Sequence, residues 1–378
     1  MGHSNNVNEV ELMLAVDQKI KKVRTRSLDL SFNELLDMFE NGELKIDPDY
    51  QRLFRWTEGA QSRFIESLIL EMPVPPIFVI ELDEGIYELI DGLQRISSYM
   101  HFRGKHPMRK NPDGTFHFLE LVDCDIVEEL NGLTYNDLPK PLEIKLKRNF
   151  IRVEVLRKES DKRLRYYMFK RLNTGGETLS PQEIRNCTIR LLSDDFNKFI
   201  IELSKNPDFK TCIANLSDEK WEQKGDQELV LRFFAFKNAR EAYRHDVGDF
   251  LTEYMEQVSD PEQPVILDYD KERECFEKTF EILAKTLGEQ VFSATNAQGR
   301  LVSKFLVYHF EAFTLGIQPV LDRLDPDDSD CIDKLKKVFI DIKNDPEFRQ
   351  ITTGGGKNYP NPLNQRIEFV TKKVREVI

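Results

Sequence analysis

The sequence has no long apolar run, no paired cysteines and no leader-like N-terminus. No stretch approaches the roughly 20 apolar residues that a membrane-spanning helix needs. The opening MGHSNNVNEVELML lacks a basic region followed by an apolar core. The five cysteines are unevenly spaced and form no Cys-x-x-Cys pair, which is typical of reduced thiols in a cytosol. These absences predict a cytoplasmic protein with no membrane partner.

Histidines are few and scattered. The chain has six, and none forms a His-x-x-His or His-Asn-His arrangement. The sequence therefore shows no nuclease centre of the His-Asn-His type, and any DNA cleavage is expected to need a partner subunit or residues of another kind. His101 and His106 flank the end of a predicted helix and are expected on the surface.

Positive charge is scarce overall and concentrated in one stretch. The formal net charge is -12, which argues against a molecule that coats nucleic acid with its whole surface. Residues 140–190 nevertheless carry 14 Lys or Arg against 6 Asp or Glu. Two interpretations stay open, a solvated helical face or a local surface for phosphate or nucleic acid.

What is present indicates a globular chain with two kinds of organisation. Apolar residues make up 40% of the chain, and 26 phenylalanines can fill a large core. Residues 28–156 mix short helices and strands, whereas apolar residues recur at helical spacing from about residue 180 onward. We predict an α+β fold with a tail over 1–27, an N-terminal domain over 28–190 and a mainly α-helical domain over 191–378.

Capping and turn residues predict individual elements. Ser31 and Glu34 form a helix start ahead of a stop at Asn41-Gly42. A second helix should run up to Pro73. The runs PIFVIEL and IYELID predict a hairpin, QRISSYMHFRG a helix and NFIRVEVL a strand with one buried face. Among the helices predicted after residue 180 is GRLVSKFLVYHFEAFTLGI.

The stretch TTGGGKNYPNPLNQR places glycines before Lys357 but does not match a phosphate-binding loop. Asn358 stands where that loop needs a hydroxyl residue. Pro360 and Pro362 are expected to prevent a following helix, so we predict a surface loop.

Residues 91–95, Asp-Gly-Leu-Gln-Arg, lie where a predicted strand becomes a helix. The first amides of a helix are unpaired and carry partial positive charge, which attracts anions. Gly92 permits a tight turn and close approach to a ligand, Arg95 can bond a phosphate, and Asp91 can hold magnesium or a water. The pattern thus places Asp91, Gln94 and Arg95 at a candidate anion site. The alternative is an ordinary turn before a helix.

Two further stretches share this mixture of ring, guanidinium and glycine. IDPDYQRLFRW, residues 46–56, can stack a base and neutralise phosphates, or its rings can be core anchors. FKRLNTGGETLSPQEIRN, residues 169–186, has a glycine turn followed by a capping box at Ser180 and Glu183; it is a second wall of an anion pocket or a capped surface turn. The predicted nucleotide-binding residues are Tyr50, Gln51, Arg52, Trp56, Gly92, Asn173, Thr174, Gly175, Gly176 and Arg185.

Together the three stretches resemble the N-terminal domain of GmrSD-type, modification-dependent restriction systems and related phage-defence proteins. The family pattern is I-x-P-x-Y-Q-R-x-x-x-W, then D-G-x-Q-R, then F-x-x-x-N-T-G-G-x-x-L-S-x-x-E-I-R-N. The chain supplies these as Ile46 to Trp56, Asp91 to Arg95 and Phe169 to Asn186. Leu93 stands where the family turn usually has a second Gln, so one polar contact is expected to be missing.

The resemblance implies a ParB/sulfiredoxin-like domain that binds a nucleoside triphosphate with Mg²⁺. It also implies nucleotide hydrolysis, with Asp91, Gln94 and Arg95 as catalytic residues, within a sensor or regulatory subunit of a restriction or defence system. The nuclease domain of larger relatives is not found in the sequence, so a nuclease partner is expected. Two alternatives stay open: a non-catalytic, ParB-like DNA-binding module that uses residues 140–190, and a self-sufficient modification-dependent DNA endonuclease.

Overall fold

The computed structural model describes residues 12–14, 16–17, 24–46, 54–83, 85–160, 166–168, 171, 180–244, 246–260, 262, 265–296 and 298–378. The chain divides into two compact units, Met1–Glu177 and Thr178–Ile378. Helix Pro181–Ile189 belongs to the second unit. The division by packing therefore falls before the end of the N-terminal domain predicted over 28–190. None of the described helices is long and apolar enough to cross a membrane.

The first unit combines helices with a mixed sheet. Its elements in chain order are β1 (Thr25–Ser31), α1 (Phe32–Glu40), β2 (Leu44–Lys45), α2 (Glu58–Ile69), β3 (Ile77–Asp83), β4 (Ile86–Asp91), α3 (Leu93–Phe102), α4 (Lys140–Arg148) and β5 (Phe150–Leu156). β1 was not expected, because its first residues fall inside the predicted tail over 1–27. The predicted α+β class is confirmed.

Five strands form the sheet in the order β1-β5-β3-β4-β2. β1 with β5 and β3 with β4 are antiparallel, whereas β3 with β5 and β2 with β4 are parallel. The β3–β4 hairpin is the one predicted from the runs on either side of Gly85. It matters for function because β4 ends at Asp91 and the chain then passes through one residue into α3.

Caps define the ends of the first helices. Ser31 Oγ accepts the N–H of Glu34 at 3.0 Å, and α1 ends before Asn41, as predicted. Thr57 Oγ1 accepts the N–H of Ala60 at 3.2 Å and opens α2. These bonds satisfy amides that the helix itself leaves unpaired.

Helix α3 lies in the interior of the first unit. Eight of its ten residues are buried. α1 and α2 both pack against it, with the Tyr99 ring 5.1 Å from that of Phe32. A helix that is enclosed on most of its surface must also bury the polar side chains that it carries.

The second unit is mostly helical, as predicted. Its core contains many phenylalanines, with ring centroids of Phe233 and Phe276 5.5 Å apart and those of Phe276 and Phe280 4.4 Å apart. Its elements are α5 (Pro181–Ile189), α6 (Asp195–Leu203), α7 (Pro207–Cys212), α8 (Asp218–Glu222), α9 (Gly225–Ala239), α10 (Val247–Ser259), α11 (Tyr269–Thr286), β6 (Ser293–Thr295), β7 (Leu301–Phe305), α12 (Val307–Gly316), α13 (Ser329–Asn344), α14 (Pro346–Thr352) and α15 (Pro360–Arg375).

Two predictions for this unit were wrong. The stretch predicted as one helix from Gly299 begins instead with β7, which pairs antiparallel with β6, and α12 starts only at Val307. The stretch predicted as a loop after Lys357 leads directly into α15, which begins at Pro360. Proline is tolerated in the first helical turn because the missing N–H would have no intrahelical partner there.

Candidate functional site

The turn between β4 and α3 is a helix start with glycine as the N-cap. Gly92 is the N-cap with φ 107°, and the N–H of Ile96 bonds to the Gly92 carbonyl at 3.0 Å. The amides of residues 93–95 therefore have no acceptor within the helix and carry its positive dipole end. The tight turn predicted for Gly92 is present.

Packing against a neighbouring strand is the reason for glycine at this turn. A Cβ on Gly92 would lie 2.8 Å from Cγ1 of Ile77 in β3, and the positive φ is also unfavourable for other residues. Gly92 itself is buried. The close approach that the structure shows is thus to Ile77, and an approach of Gly92 to a ligand stays a prediction.

Arg95 is bonded to the carboxylate that precedes the turn. Its Nη2 lies 2.6 Å from Asp91 Oδ2, and its Nη1 donates to the carbonyls of Pro75 at 2.5 Å and Pro76 at 3.0 Å. The Arg95 side chain is 11% exposed and that of Asp91 is 32% exposed. In this structure Arg95 holds Asp91 in place with Asp91 facing solvent, and the predicted contact of Arg95 with phosphate stays a prediction.

Gln94 joins two of the three sequence motifs. Its Oε1 accepts the backbone N–H of Arg55 at 3.0 Å and of Trp56 at 3.1 Å. The neighbouring Leu93 is 3% exposed and belongs to the core. An apolar residue suits this interior position, which accounts for Leu93 where the family turn usually has glutamine.

Trp56 is fixed from several sides. Its carbonyl accepts Gln61 Nε2 at 2.7 Å, its N–H bonds to Gln94, and its ring lies 5.7 Å from that of Phe64 in an edge-on arrangement. The side chain is half-buried. The ring is therefore a partial core anchor that keeps an accessible part beside the turn.

The expectation that His101 and His106 lie on the surface was wrong. They are 1% and 2% exposed because His101 is part of the enclosed helix α3 and His106 follows it in the chain. His101 Nδ1 lies 2.8 Å from Gln61 Oε1, and its Nε2 lies 2.9 Å from Nδ1 of the exposed His117. The sequence did hold a signal, since no residue from Ile96 to Met100 is charged and such a stretch is typical of an enclosed helix.

Burial also controls the protonation of these rings. Desolvation, followed by the charge of Arg109, lowers the pKa of His101 to about 3 and that of His106 to about 4. Both rings are therefore neutral at pH 7. The ring of His106 lies 5.0 Å from that of Phe54, next to the 55–56 segment.

Several predicted binding residues lie outside the described residues. These are Tyr50, Gln51, Arg52, Asn173, Thr174, Gly175 and Gly176. Their predicted contacts with a nucleotide stay predictions.

Arg185 belongs to the helical unit. The predicted capping box is present at the start of α5, where Ser180 Oγ accepts the Glu183 N–H at 3.2 Å. Arg185 is 3% exposed, and its Nη2 bonds to Glu228 at 2.6 Å. This guanidinium stabilises the packing of its own unit, and its predicted role with a nucleotide stays a prediction.

The basic stretch over residues 140–190 is largely charge-compensated where it is described. Glu143 binds both Lys140 and Lys147, at 2.8 and 2.7 Å. Acidic residues from earlier in the chain pair with others, in the pairs Lys145–Glu71, Arg152–Asp29, Arg157–Glu81 and Lys158–Asp83. Paired cations at the surface favour the solvated-face interpretation over a dedicated phosphate surface.

The donor set at the turn suits magnesium that arrives with a nucleotide. Mg²⁺ is commonly held by one or two carboxylates together with substrate phosphates, and Asp91 is a partly exposed carboxylate beside the N-terminus of α3. Within the described ranges, no group of three His, Cys, Asp or Glu side chains is placed to hold a metal ion. Asp91 is thus the residue that would hold a nucleotide-bound Mg²⁺.

The first unit is an α+β domain in which Gln94 of the second motif bonds to Arg55 and Trp56 of the first, where a strand passes into a helix. Residues 32–190 match the family model for the N-terminal domain of GmrSD restriction endonuclease, which confirms the resemblance. No curated protein and no solved structure matches the chain. The match indicates a component of a restriction or defence system. The ParB/sulfiredoxin likeness stays a prediction.

Proposed function

We propose that the first unit binds a nucleoside triphosphate with Mg²⁺ at the start of α3, as the sensor or regulatory part of a restriction system. The observation that supports this most is the bond pattern of Gln94, which brings the Arg55–Trp56 segment to the turn at Asp91. Two motifs distant in sequence are thereby joined at one helix start. A helix start with open amides is a common receptor for phosphate.

Each residue at the turn has a defined part in this proposal. The positive dipole end of α3 attracts phosphate oxygens, and Asp91 meets the magnesium or a water. Arg95 holds Asp91 and neutralises part of its charge at 2.6 Å. The half-buried Trp56 stacks the accessible part of its ring on the base. Trp56, Asp91 and Arg95, which make these proposed contacts, all belong to the first unit.

Binding is tested by calorimetry with ATP, GTP, CTP and UTP, with and without magnesium. Asp91→Asn should weaken magnesium-dependent binding about tenfold, since one charged contact contributes about 1.4 kcal/mol or more. Asp29→Asn is the matched control, because Asp29 also pairs with an arginine of the first unit, Arg152, but both side chains are more than half exposed. Equal affinities of wild type and Asp91→Asn would reject Asp91 as a ligand.

Absence of binding to all four nucleotides with magnesium would reject the proposed function. Hydrolysis is a separate question, tested by phosphate release with and without modified and unmodified DNA. Nucleotide-independent cleavage of the DNA by the chain alone would instead support a self-sufficient endonuclease. DNA binding that falls steeply with salt would support a DNA-binding module.

A further inference from the structure

A chain of hydrogen bonds runs from the surface of the first unit to the backbone of Trp56. It starts at the exposed His117, whose Nδ1 is 2.9 Å from Nε2 of His101. It continues from His101 Nδ1 to Gln61 Oε1 at 2.8 Å. It ends with Gln61 Nε2, which donates to the carbonyl of Trp56 at 2.7 Å.

The order of donors and acceptors along this chain is determined by its inner end. A carbonyl only accepts, so Gln61 must present its NH₂ to Trp56 and its oxygen to His101. His101 Nδ1 then carries a proton. Because His101 is neutral, its Nε2 is bare and accepts, so His117 must carry a proton on Nδ1. Both neutral and protonated His117 satisfy this requirement.

The inner members have no alternative partner in water. Gln61 and His101 are each 1% exposed. A buried polar group that loses its partner is destabilised by about 1–3 kcal/mol, so each bond in the chain supports the next. The segment that carries His117 is itself held by the bond from the His117 N–H to the Arg109 carbonyl at 3.0 Å.

At its inner end the chain fixes the peptide groups on both sides of Trp56. Gln61 binds the carbonyl, and Gln94 binds the N–H from the first turn of α3. The Trp56 segment is therefore held by Gln61 of α2 on one side and by Gln94 of α3, the neighbour of Arg95, on the other. A shift of this segment would move Trp56 and break the two hydrogen bonds that its backbone N–H groups donate to Gln94 Oε1.

We propose that His117, His101 and Gln61 are positioning residues of the nucleotide site, and that they act by holding the Trp56 segment against Gln94. The proposal assigns none of the three a direct contact with the nucleotide. The proposal deepens the proposed function and rests on it for the nucleotide, whereas the effect on Trp56 can be measured without any ligand. His117 is the point at which the chain can be opened from outside, because it is exposed.

The test compares His117→Ala with His117→Asn in a Trp221→Phe background. The protein has two tryptophans, so this background leaves Trp56 as the only indole reporter. Alanine removes the donor to His101, whereas the amide NH₂ of asparagine can replace Nδ1–H. We expect His117→Ala to shift the Trp56 emission and to weaken triphosphate binding about tenfold, equivalent to about 1.4 kcal/mol. His117→Asn should restore both to near wild type.

Nitrogen NMR of the imidazoles gives a second readout that needs no ligand. In the wild-type chain His101 and His117 should both carry a proton on Nδ1, and His117→Ala should change the His101 signals. A His101 ring protonated on Nε2 would overturn the proposal. An unchanged Trp56 emission and unchanged affinity in His117→Ala would also overturn it, and so would failure of asparagine to restore them.

The two proposals can fail separately. If the wild-type chain binds no triphosphate but His117→Ala still shifts the Trp56 emission, the proposed function is rejected and the hold of the three residues on Trp56 is supported. If the wild-type chain binds a triphosphate and His117→Ala changes nothing, the proposed function stands and the positioning role is rejected.

Discussion

Both units pair arginine with carboxylate, but the pairs differ in what they leave exposed. In the helical unit Glu311 lies between Arg232 at 2.6 Å and Arg366 at 2.5 Å, and Glu311 is 1% exposed. At the turn of the first unit Arg95 bonds Asp91, which keeps about a third of its side-chain surface accessible. The enclosed cluster can only stabilise packing, whereas the open pair keeps a carboxylate available for a ligand.

The buried basic groups of the two units show the same contrast. In the first unit, His101 is linked by a hydrogen bond to exposed His117. In the helical unit Lys343 and His309 are both buried, and Lys343 Nζ bonds to the Ser293 carbonyl at 2.8 Å. Chemistry that depends on solvent or a ligand is therefore expected in the first unit. The helical unit is expected to show effects on stability.

The largest expected effect is the loss of Glu311. Glu311→Ala leaves two guanidinium groups buried without their carboxylate and should reduce the free energy of unfolding of the helical unit by about 3–5 kcal/mol. Urea unfolding in a Trp56→Phe background, followed by Trp221 emission, measures this unit. Glu202→Ala is the control, because its pair with Arg273 is far more exposed and contributes less than about 1 kcal/mol.

The same measurement sharpens the comparison between units. Asp91→Ala, followed by Trp56 emission in the Trp221→Phe background, should destabilise the first unit less than Glu311→Ala destabilises the second. The reason is that Asp91 is partly exposed to solvent, so its bond to Arg95 contributes less than a fully buried ion pair does. Equal losses would contradict the distinction between an open and an enclosed pair.

Substitution of Gly92 is expected to have an intermediate effect. Gly92→Ala combines the positive φ with contact of its Cβ at 2.8 Å from Ile77 and should destabilise the first unit by about 2–3 kcal/mol. Gly42→Ala is the matched control, since Gly42 also has a positive φ but has nothing within 4 Å of its Cβ position. It should lose only about 1 kcal/mol. Similar losses for both would show that the contact with Ile77 relaxes freely.

Taken per pH unit, the smallest expected effect is a change of stability with pH in the helical unit. Burial lowers the pKa of Lys343 to about 7 from the ordinary 10.5. Between these values the unfolded chain binds the proton and the folded chain does not, so stability rises with pH by up to about 1.4 kcal/mol per pH unit. Below pH 7 both states are protonated, and the unfavourable burial of the ammonium is fully present.

Lys343→Met removes this titration while it keeps an unbranched side chain. The variant should be more stable than wild type near pH 7, and the difference should shrink as the pH rises towards 10. Urea unfolding of both chains at pH 6 to 10, with Trp221 as reporter, measures the difference directly. A constant difference over that range would show that Lys343 keeps an ordinary pKa.

Local sequence patterns were sufficient for much of the fold. The cap at Ser31, the hairpin at Gly85 and the capping box at Ser180 depend on residues within a few positions of one another. The failures came from non-local pairing, as in β7, or from reading a proline without its position, as in Pro360. β1 was missed because most of its residues are exposed and carry no strong apolar alternation.

The candidate site divides in the same way. The motifs identified Asp91, Gln94 and Trp56, but their bonds could not be derived from spacing. Gln94 accepts hydrogen bonds from backbone N–H groups 38 and 39 residues away in the chain. His101 and Gln61 were missed because a hydrogen bond between two buried helices depends on how those helices pack.

By itself the sequence determined the α+β class, the capped helix starts at Ser31 and Ser180 and the three motifs, because these depend on composition, periodicity and short-range bonding. Only the tertiary structure decided that Arg95 holds Asp91, that Gly92 faces Ile77 and that His101 is interior. Those outcomes depend on which side chains meet across the packed elements. The energy of these side-chain contacts depends on their burial, and burial is a property of the folded chain as a whole.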